Sequence, residues 1–408
     1  MPKLSFAIAL SCAALFGASA AGADSLQLTG KLRWLTLASS KDKDVAIGIA
    51  RHESGRADVV KAVSSKNGYY AVIAGPYPAN SIQDLKKADK GDRFADLPAD
   101  ALLSQGANYL ETVWQSQKNG GIGLAPYALD KPAEFSGGAL TVKVSAAKLG
   151  DDNAYTVVDG KDAQGTFHFD LGKDLPKEEL ASIDEFKSEN FNQAAVVRLA
   201  TGEGSPQVVI TNYSGGAHCC TKTTFVIRDG ASAAWTLIKT DALDGEGYWY
   251  EDVDGDGALE LLSVDNSFLY AFDSYAGSFA PLKISKLRGG RLEDVTEEPA
   301  YHSRLVQDLA GMEYDAKLRP DDWKSNGFLA GWVASKIRLG QGDEAWARFM
   351  ANYEKASDFG PQLCTTGAKV DDCPADKLAP VPIPKALAAH LKENGYTPLP
   401  KAAEAELR

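Results

Sequence analysis

Asp252-Val253-Asp254-Gly255-Asp256-Gly257-Ala258-Leu259-Glu260 is the stretch on which the reading of this chain turns. It sets carboxylates at loop positions 1, 3, 5 and 9, with glycine at position 6. A hard cation takes six to eight oxygens at about 2.3–2.6 Å, and alternate residues of a tight loop aim several carboxylates at one centre. Asp252, Asp254, Asp256 and Glu260, with the backbone carbonyl of Ala258, are therefore the candidate calcium ligands. Without a cation these carboxylates would repel one another. The loop is not an EF-hand, because position 12, which must be acidic there, is Ser263.

Hydrophobic residues flank the loop at Val253, Leu259, Leu261 and Leu262. The combination resembles the calcium loop of FG-GAP and integrin-like propeller repeats, which implies a calcium-stiffened blade edge. Around it, residues 196–199, 207–212, 223–228, 235–240, 260–264, 268–273 and 282–284 carry strand patterns, with a turn at Arg228-Asp229-Gly230. Residues 194–296 are thus expected to form a propeller-like or meander β domain, with two units visible. Upstream, residues 120–193 are expected to be a linker with β-hairpins and one helix, the helix resting on Leu180, Ile183 and Phe186. Downstream, residues 297–408 form a helical region, with helices over 328–339, 345–355 and 385–394 and a frayed tail from Thr397.

The N-terminal part alternates strand and helix over 32–38, 44–52, 59–64, 69–74 and 81–87, with Lys66-Asn67-Gly68 as a hairpin turn. Trp34-Leu35-Thr36-Leu37-Ala38-Ser39 and Tyr69-Tyr70-Ala71-Val72-Ile73-Ala74-Gly75-Pro76-Tyr77 make residues 24–119 resemble the sporulation-related repeat, or SPOR, domain. That resemblance implies binding of peptide-free peptidoglycan glycan strands on an exposed sheet face, with Trp34, Thr36, Tyr70 and Tyr77 as contacts. Thr36 stands where the family usually has glutamine. The expected fold class is multi-domain α+β: a small SPOR-like α/β sandwich, a β-rich propeller-like or meander domain, and a C-terminal helical region.

Lys3, the apolar run from Leu4 to Phe16 and the small residues Ala18, Ala20, Ala21 and Ala23 have the layout of a secretory signal peptide over residues 1–23. The apolar run is shorter than the roughly 20 residues a bilayer needs. A periplasmic or secreted location follows, without membrane insertion. The formal charge of -12 argues against nucleic acid and permits cation binding. Beyond Cys12, the cysteines are Cys219, Cys220, Cys364 and Cys373, an even number suited to disulfides in an oxidising compartment. Cys364 and Cys373 are close enough for a local bridge, while pairing with Cys219 or Cys220 stays open. Cys219 and Cys220 admit a vicinal disulfide, or strand alternation that places His218 and Cys220 on one face toward a soft metal.

The chain lacks G-x-S-x-G and H-E-x-x-H, and Ser40-Lys41-Asp42-Lys43 matches S-x-x-K without a K-T-G or S-D-N partner. His52, His168, His218, His302 and His390 show no zinc-type spacing. Tyr248, Trp249 and Tyr250 suit either a sugar-stacking platform or core packing. The functional expectation is an exported cell-envelope binding protein, not an enzyme, carrying a structural calcium site. Its expected partners are peptidoglycan glycan strands or envelope proteins. A cell-wall hydrolase or hydrolase regulator, and a calcium-stiffened interaction scaffold, are the alternatives.

Overall fold

The computed structural model describes residues 26–89, 91–116, 122–176, 180–187, 191–201, 206–228, 234–245, 247–357 and 359–408. The leader expected over residues 1–23 lies outside them. The described residues form 22 strands in five antiparallel sheets and seven helices.

The first sheet holds β1 (Leu32–Ser40), β2 (Val60–Ser65), β3 (Tyr70–Pro78), β4 (Leu102–Ser104) and β5 (Tyr109–Gln115), in the order β4-β1-β3-β2-β5. Helix α1 (Lys43–His52) covers one face; Asp42 caps it by accepting from the backbone N–H groups of Asp44 and Val45, at 2.8 and 3.2 Å. Gly68 closes the β2–β3 hairpin at φ +79°, as the Asn-Gly pair predicts. Helix α2 (Ile82–Ala88) follows.

After β6 (Ala125–Pro126) comes a second sheet of β7 (Ala133–Gly137), β8 (Leu140–Leu149), β9 (Asn153–Asp162), β10 (Gly165–Leu171) and β11 (Ala181–Ser182). A third sheet joins β6 to β12 (Asn192–Val197), β13 (Gln207–Tyr213), β14 (Cys219–Arg228), β15 (Trp235–Lys239) and β16 (Leu243–Asp244). A fourth is β17 (Trp249–Glu251), β18 (Glu260–Val264), β19 (Leu282–Arg288) and β20 (Arg291–Asp294), in that order.

Strand patterning sets the layers. In β8, Leu140, Val142 and Val144 are buried while Thr141 and Lys143 are exposed, so the second sheet has one wet face. In β13, Val208, Val209 and Ile210 are all fully buried, which demands cover on both sides. Val208 and Ile210 pack with Val142, Val144 and Val158 of the second sheet. Val209, with Phe225, packs instead on Tyr250, Leu261 and Leu287 of the fourth. The fourth sheet's far face, Leu262 and Ile284, meets Tyr301 and Leu305 at the start of the helical layer.

That layer comprises α3 (His302–Leu318), α4 (Asn326–Arg338), α5 (Gly342–Asn352), the two-stranded sheet of β21 (Gln362–Cys364) and β22 (Leu378–Pro380), then α6 (Ile383–Glu393) and α7 (Lys401–Glu406). Cys364 is disulfide-bonded to Cys373, with Cα atoms 5.7 Å apart. The first sheet docks here through α1: Arg51 pairs with Glu251 of β17, which also meets Arg304 of α3, while Gln307 of α3 bonds both Arg51 and Asp44.

This architecture overturns the expected fold class. The chain is β-rich and layered, and none of its described sheets closes into a propeller. The SPOR-like α/β sandwich is likewise replaced by a five-stranded antiparallel sheet whose helix packs against α3. Three local expectations also change. Residues 268–273 are a short 3₁₀ turn and loop instead of a strand: Phe268 and Phe272 are buried together, and Tyr270 between them takes φ +61°, which no strand permits. The described part of 175–192 contains β11 and turns in place of a helix, with Ser182 and Glu185 exchanging backbone and side-chain bonds. The tail past Thr397 is anchored by α7, whose Ala403 is fully buried.

Candidate functional site

The acidic loop joins β17 to β18, and its backbone is held by its own side chains. Asp252 accepts from Gly257 N–H at 3.1 Å, Asp254 from Asp256 N–H at 3.2 Å, and Asp256 from Ala258 N–H at 2.9 Å. Glu260, fully buried, accepts from Val253 N–H at 2.8 Å. Ala258 is buried as well. Asp252, Asp254 and Glu260 each offer an oxygen within 4.8 Å of the others, a spacing open to a cation. An ammonium already stands there: Lys286 Nζ lies 2.6 Å from Asp254, 2.6 Å from Asp256 and 2.8 Å from Glu260.

The β18–β19 register pairs Leu261 with Ser285, which brings the next pair, Glu260 and Lys286, side by side. Tyr301 adds hydrogen bonds to Asp254 and Glu260 at 3.2 and 3.4 Å. Partial burial opposes ionisation of Asp254, but the Lys286 and Asp256 donors outweigh it and hold the carboxyl below its usual range. Burial would depress the Lys286 ammonium, and its three carboxylates instead raise it. A divalent ion taken up by Asp252, Asp254 and Glu260 would compete with the Lys286 ammonium for Asp254 and Glu260.

The four glycan-contact candidates do not share a surface. Trp34 is buried with Val63, Ala71 and Ile73, and its indole N–H donates to the Leu26 carbonyl at 2.8 Å. Thr36 bonds the Tyr109 hydroxyl at 2.7 Å. Tyr70 and Tyr77 pack instead with the Leu35, Leu37 and Val72 cluster, and Tyr77 is edge-on to Phe94.

A cleft of about 750 Å³ opens where the ends of β13 and β14 meet β17 and the loop after β18. Phe191, Tyr213, Tyr248, Trp249 and Tyr275 give it aromatic walls; Gln193, Thr211 and Thr221 supply polar groups. The three consecutive aromatics divide: Tyr250 is in the core, Tyr248 is half-buried, and Trp249 is 40% exposed at the cleft. His218 stacks on Tyr275 with ring centroids 4.1 Å apart, and its Nε2 lies 2.5 Å from the Tyr270 hydroxyl. Tyr270 is the one non-glycine residue at positive φ among the described residues, a conformation costing about 1–3 kcal/mol, and its hydroxyl is the group that meets His218 Nε2.

Cys219 and Cys220 beside this cleft form a vicinal disulfide. Ser214 fixes the turn by donating from Oγ to the Cys219 carbonyl at 2.9 Å and accepting from Cys220 N–H at 2.7 Å. Gly216 is required by space, because a Cβ there would fall 2.2 Å from the Cys219 carbonyl oxygen. Asp244 of β16 completes the group: its Oδ1 lies 3.9 Å from Cys220 Sγ and 3.6 Å from His218 Nδ1. Tyr270, Tyr275, Asp244 and Lys286 escape motif reading because each reaches its site across strands or loops remote in sequence.

Residues 305–395 match the family described as the sll0997 C-terminal domain. Over 381 residues the chain is 39% identical to an uncharacterized protein, y4bJ, of Sinorhizobium fredii, covering 93% of this chain and 58% of that relative. Over 192 residues it is 35% identical to a probable thylakoid lumen protein, sll0997, of Synechocystis, covering 47% of this chain and 56% of that relative. The chain thus spans little more than half the length of these curated relatives. No solved structure matches it. A lumenal relative, together with disulfide-bonded cysteines, indicates an exported or lumenal protein. No helix among the described residues is long and apolar enough to cross a membrane.

Proposed function

We propose that this protein is an extracytoplasmic binding protein that takes a saccharide chain in the aromatic cleft. A sugar ring presents C–H groups on its faces and hydroxyls at its edge. An apolar ring wall with polar side chains converging beside it is the complementary surface. The observation that carries the reading is Trp249, which lines the cleft and is 40% exposed, while its neighbour Tyr250 is built into the core. His218 and Tyr275 form a second, pre-stacked aromatic wall. Preorganised walls reduce the ordering cost of binding.

Envelope glycan is the saccharide to test first, since it is the polymer expected of an exported bacterial partner. The purified protein is sedimented with peptidoglycan sacculi, with and without calcium, and its tryptophan emission is titrated with soluble chito-oligosaccharides. Binding that disappears in Trp249→Ala supports the proposal. A protein that neither sediments nor responds, or a Trp249→Ala variant that binds like the wild type, overturns it.

A further inference from the structure

We infer that His218, Cys219, Cys220 and Asp244 are a concealed site for a soft divalent cation of the zinc or cadmium class, opened by reduction of the vicinal disulfide. The argument is independent of the saccharide reading. One ligand atom from each of Cys219, Cys220 and Asp244 lies within 4.8 Å of the others. His218 Nδ1, 3.6 Å from the Asp244 carboxylate, is buried and makes no hydrogen bond. An unbonded buried ring nitrogen is a polar group still lacking its partner. When Nε2 donates its proton to the Tyr270 hydroxyl, the Nδ1 lone pair is the one directed at Asp244, and stacking on Tyr275 holds the ring there.

The two sulfurs and the Asp244 carboxylate form the close cluster; His218 lies outside it, with Nδ1 3.6 Å from Asp244, and its imidazole would have to close in to complete the four-donor set that suits a tetrahedral, borderline-soft ion. Hard cations have no preference for it. While the two sulfurs are bonded to each other they are poor ligands, so the oxidised protein keeps the site shut. A dithiol opens it by passing two electrons and two protons to the disulfide and becoming a disulfide itself. The two thiols then release two protons as the metal–sulfur bonds form, while neutral His218 and ionised Asp244 donate lone pairs with no further proton loss.

The test uses the full chain carrying Cys364→Ser and Cys373→Ser, so that only one disulfide can respond. The protein is reduced with dithiothreitol, freed of reductant without air, and titrated with cadmium while thiolate-to-cadmium charge-transfer absorption is recorded. Reduced protein is expected to bind about one ion per chain, and oxidised protein none. His218→Ala and Asp244→Asn, which leave both thiols in place, are each expected to weaken binding by about tenfold or more. Reduced protein showing no charge-transfer band overturns the inference. So does a band of undiminished affinity in both the His218 and Asp244 variants, which would mean that the thiols act alone. Should the serine background fail to fold, the wild-type chain serves, with Cys219→Ser/Cys220→Ser as the control for the reduced Cys364 and Cys373 thiols; a wild-type band no larger than that of the control also overturns the inference.

Discussion

Lys286 Nζ lies 2.8 Å from Glu260 Oε1, a fully buried carboxylate, at the centre of the loop whose sequence calls for a metal ion. The lysine side chain is itself only 8% exposed. Removing one partner of a buried ionic cluster leaves the rest uncompensated, at a cost of about 3–5 kcal/mol. Lys286→Met is therefore expected to lower the melting temperature strongly. The variant should regain stability on adding calcium, whereas the wild type should not shift. Thermal unfolding in calcium and in chelator checks this, and a large calcium-dependent rise in the wild type would mean that the ion expels the ammonium.

Trp249 and Tyr250 are adjacent on β17 and face opposite environments, so their alanine variants should separate binding from stability. Trp249→Ala removes an exposed ring and is expected to change stability by no more than about 0.5 kcal/mol while abolishing ligand-dependent fluorescence. Tyr250→Ala empties a core position between the third and fourth sheets, costing about 3–5 kcal/mol. Denaturant unfolding of both variants, beside the sedimentation assay, distinguishes the two roles.

Legibility in the sequence follows the range of the interaction. The Asn67-Gly68 turn and the acidic loop depend on residues a few positions apart, and each is visible in the chain. The lysine that reaches into this loop is not, because Lys286 arrives across a strand pair. The layered order is half visible: continuous burial at Val208, Val209 and Ile210 against alternation at Leu140, Val142 and Val144 distinguishes a middle sheet from an outer one. Strand spacing alone, which suggested a propeller, does not carry that information. Phe268 and Phe272 misled for a related reason, since their aromatic character suits a strand while their four-residue spacing suits one buried side of a turn.

Gly48 marks the closest approach of the first sheet's helix to α3. A Cβ at this position would fall 2.1 Å from the Gln307 carbonyl oxygen, whereas one at Gly55 would meet nothing within 4 Å. Helix propensity favours alanine over glycine by about 1 kcal/mol. At Gly48 the backbone clash should win, because neither helix can move without disturbing the Arg51, Glu251 and Gln307 bonds; overpacking of this kind costs about 1–3 kcal/mol. Gly48→Ala is expected to lower the urea midpoint, and Gly55→Ala to leave it unchanged within about 0.5 kcal/mol. Equal midpoints for the two variants would show that the helices separate freely.

His390 on α6 is wedged edge-on between Phe268 and Phe272, with centroids 4.6 and 5.4 Å away, and lies 3.3 Å from Ser267 Oγ. Burial lowers its pKa, and the nearby Asp265 and Glu393 carboxylates only partly oppose that effect. The unfolded chain, with histidine near about 6.5, therefore binds the proton first as pH falls. Stability from the neutral, packed imidazole is present above that value and is lost as pH falls from there toward the lower folded pKa. Asp265, held below the usual carboxylate range by Ser267 and Tyr396 despite burial, adds its own loss only in a more acidic window. His168, raised by its bond to Asp159, works in the opposite direction, so wild type and variant must be compared at each pH. His390→Gln is expected to flatten the decline in melting temperature between about pH 6.5 and 5 while leaving the steeper fall below about pH 4 intact. Parallel melting curves for the two proteins across the upper window would show that docking of α6 does not depend on the charge of His390.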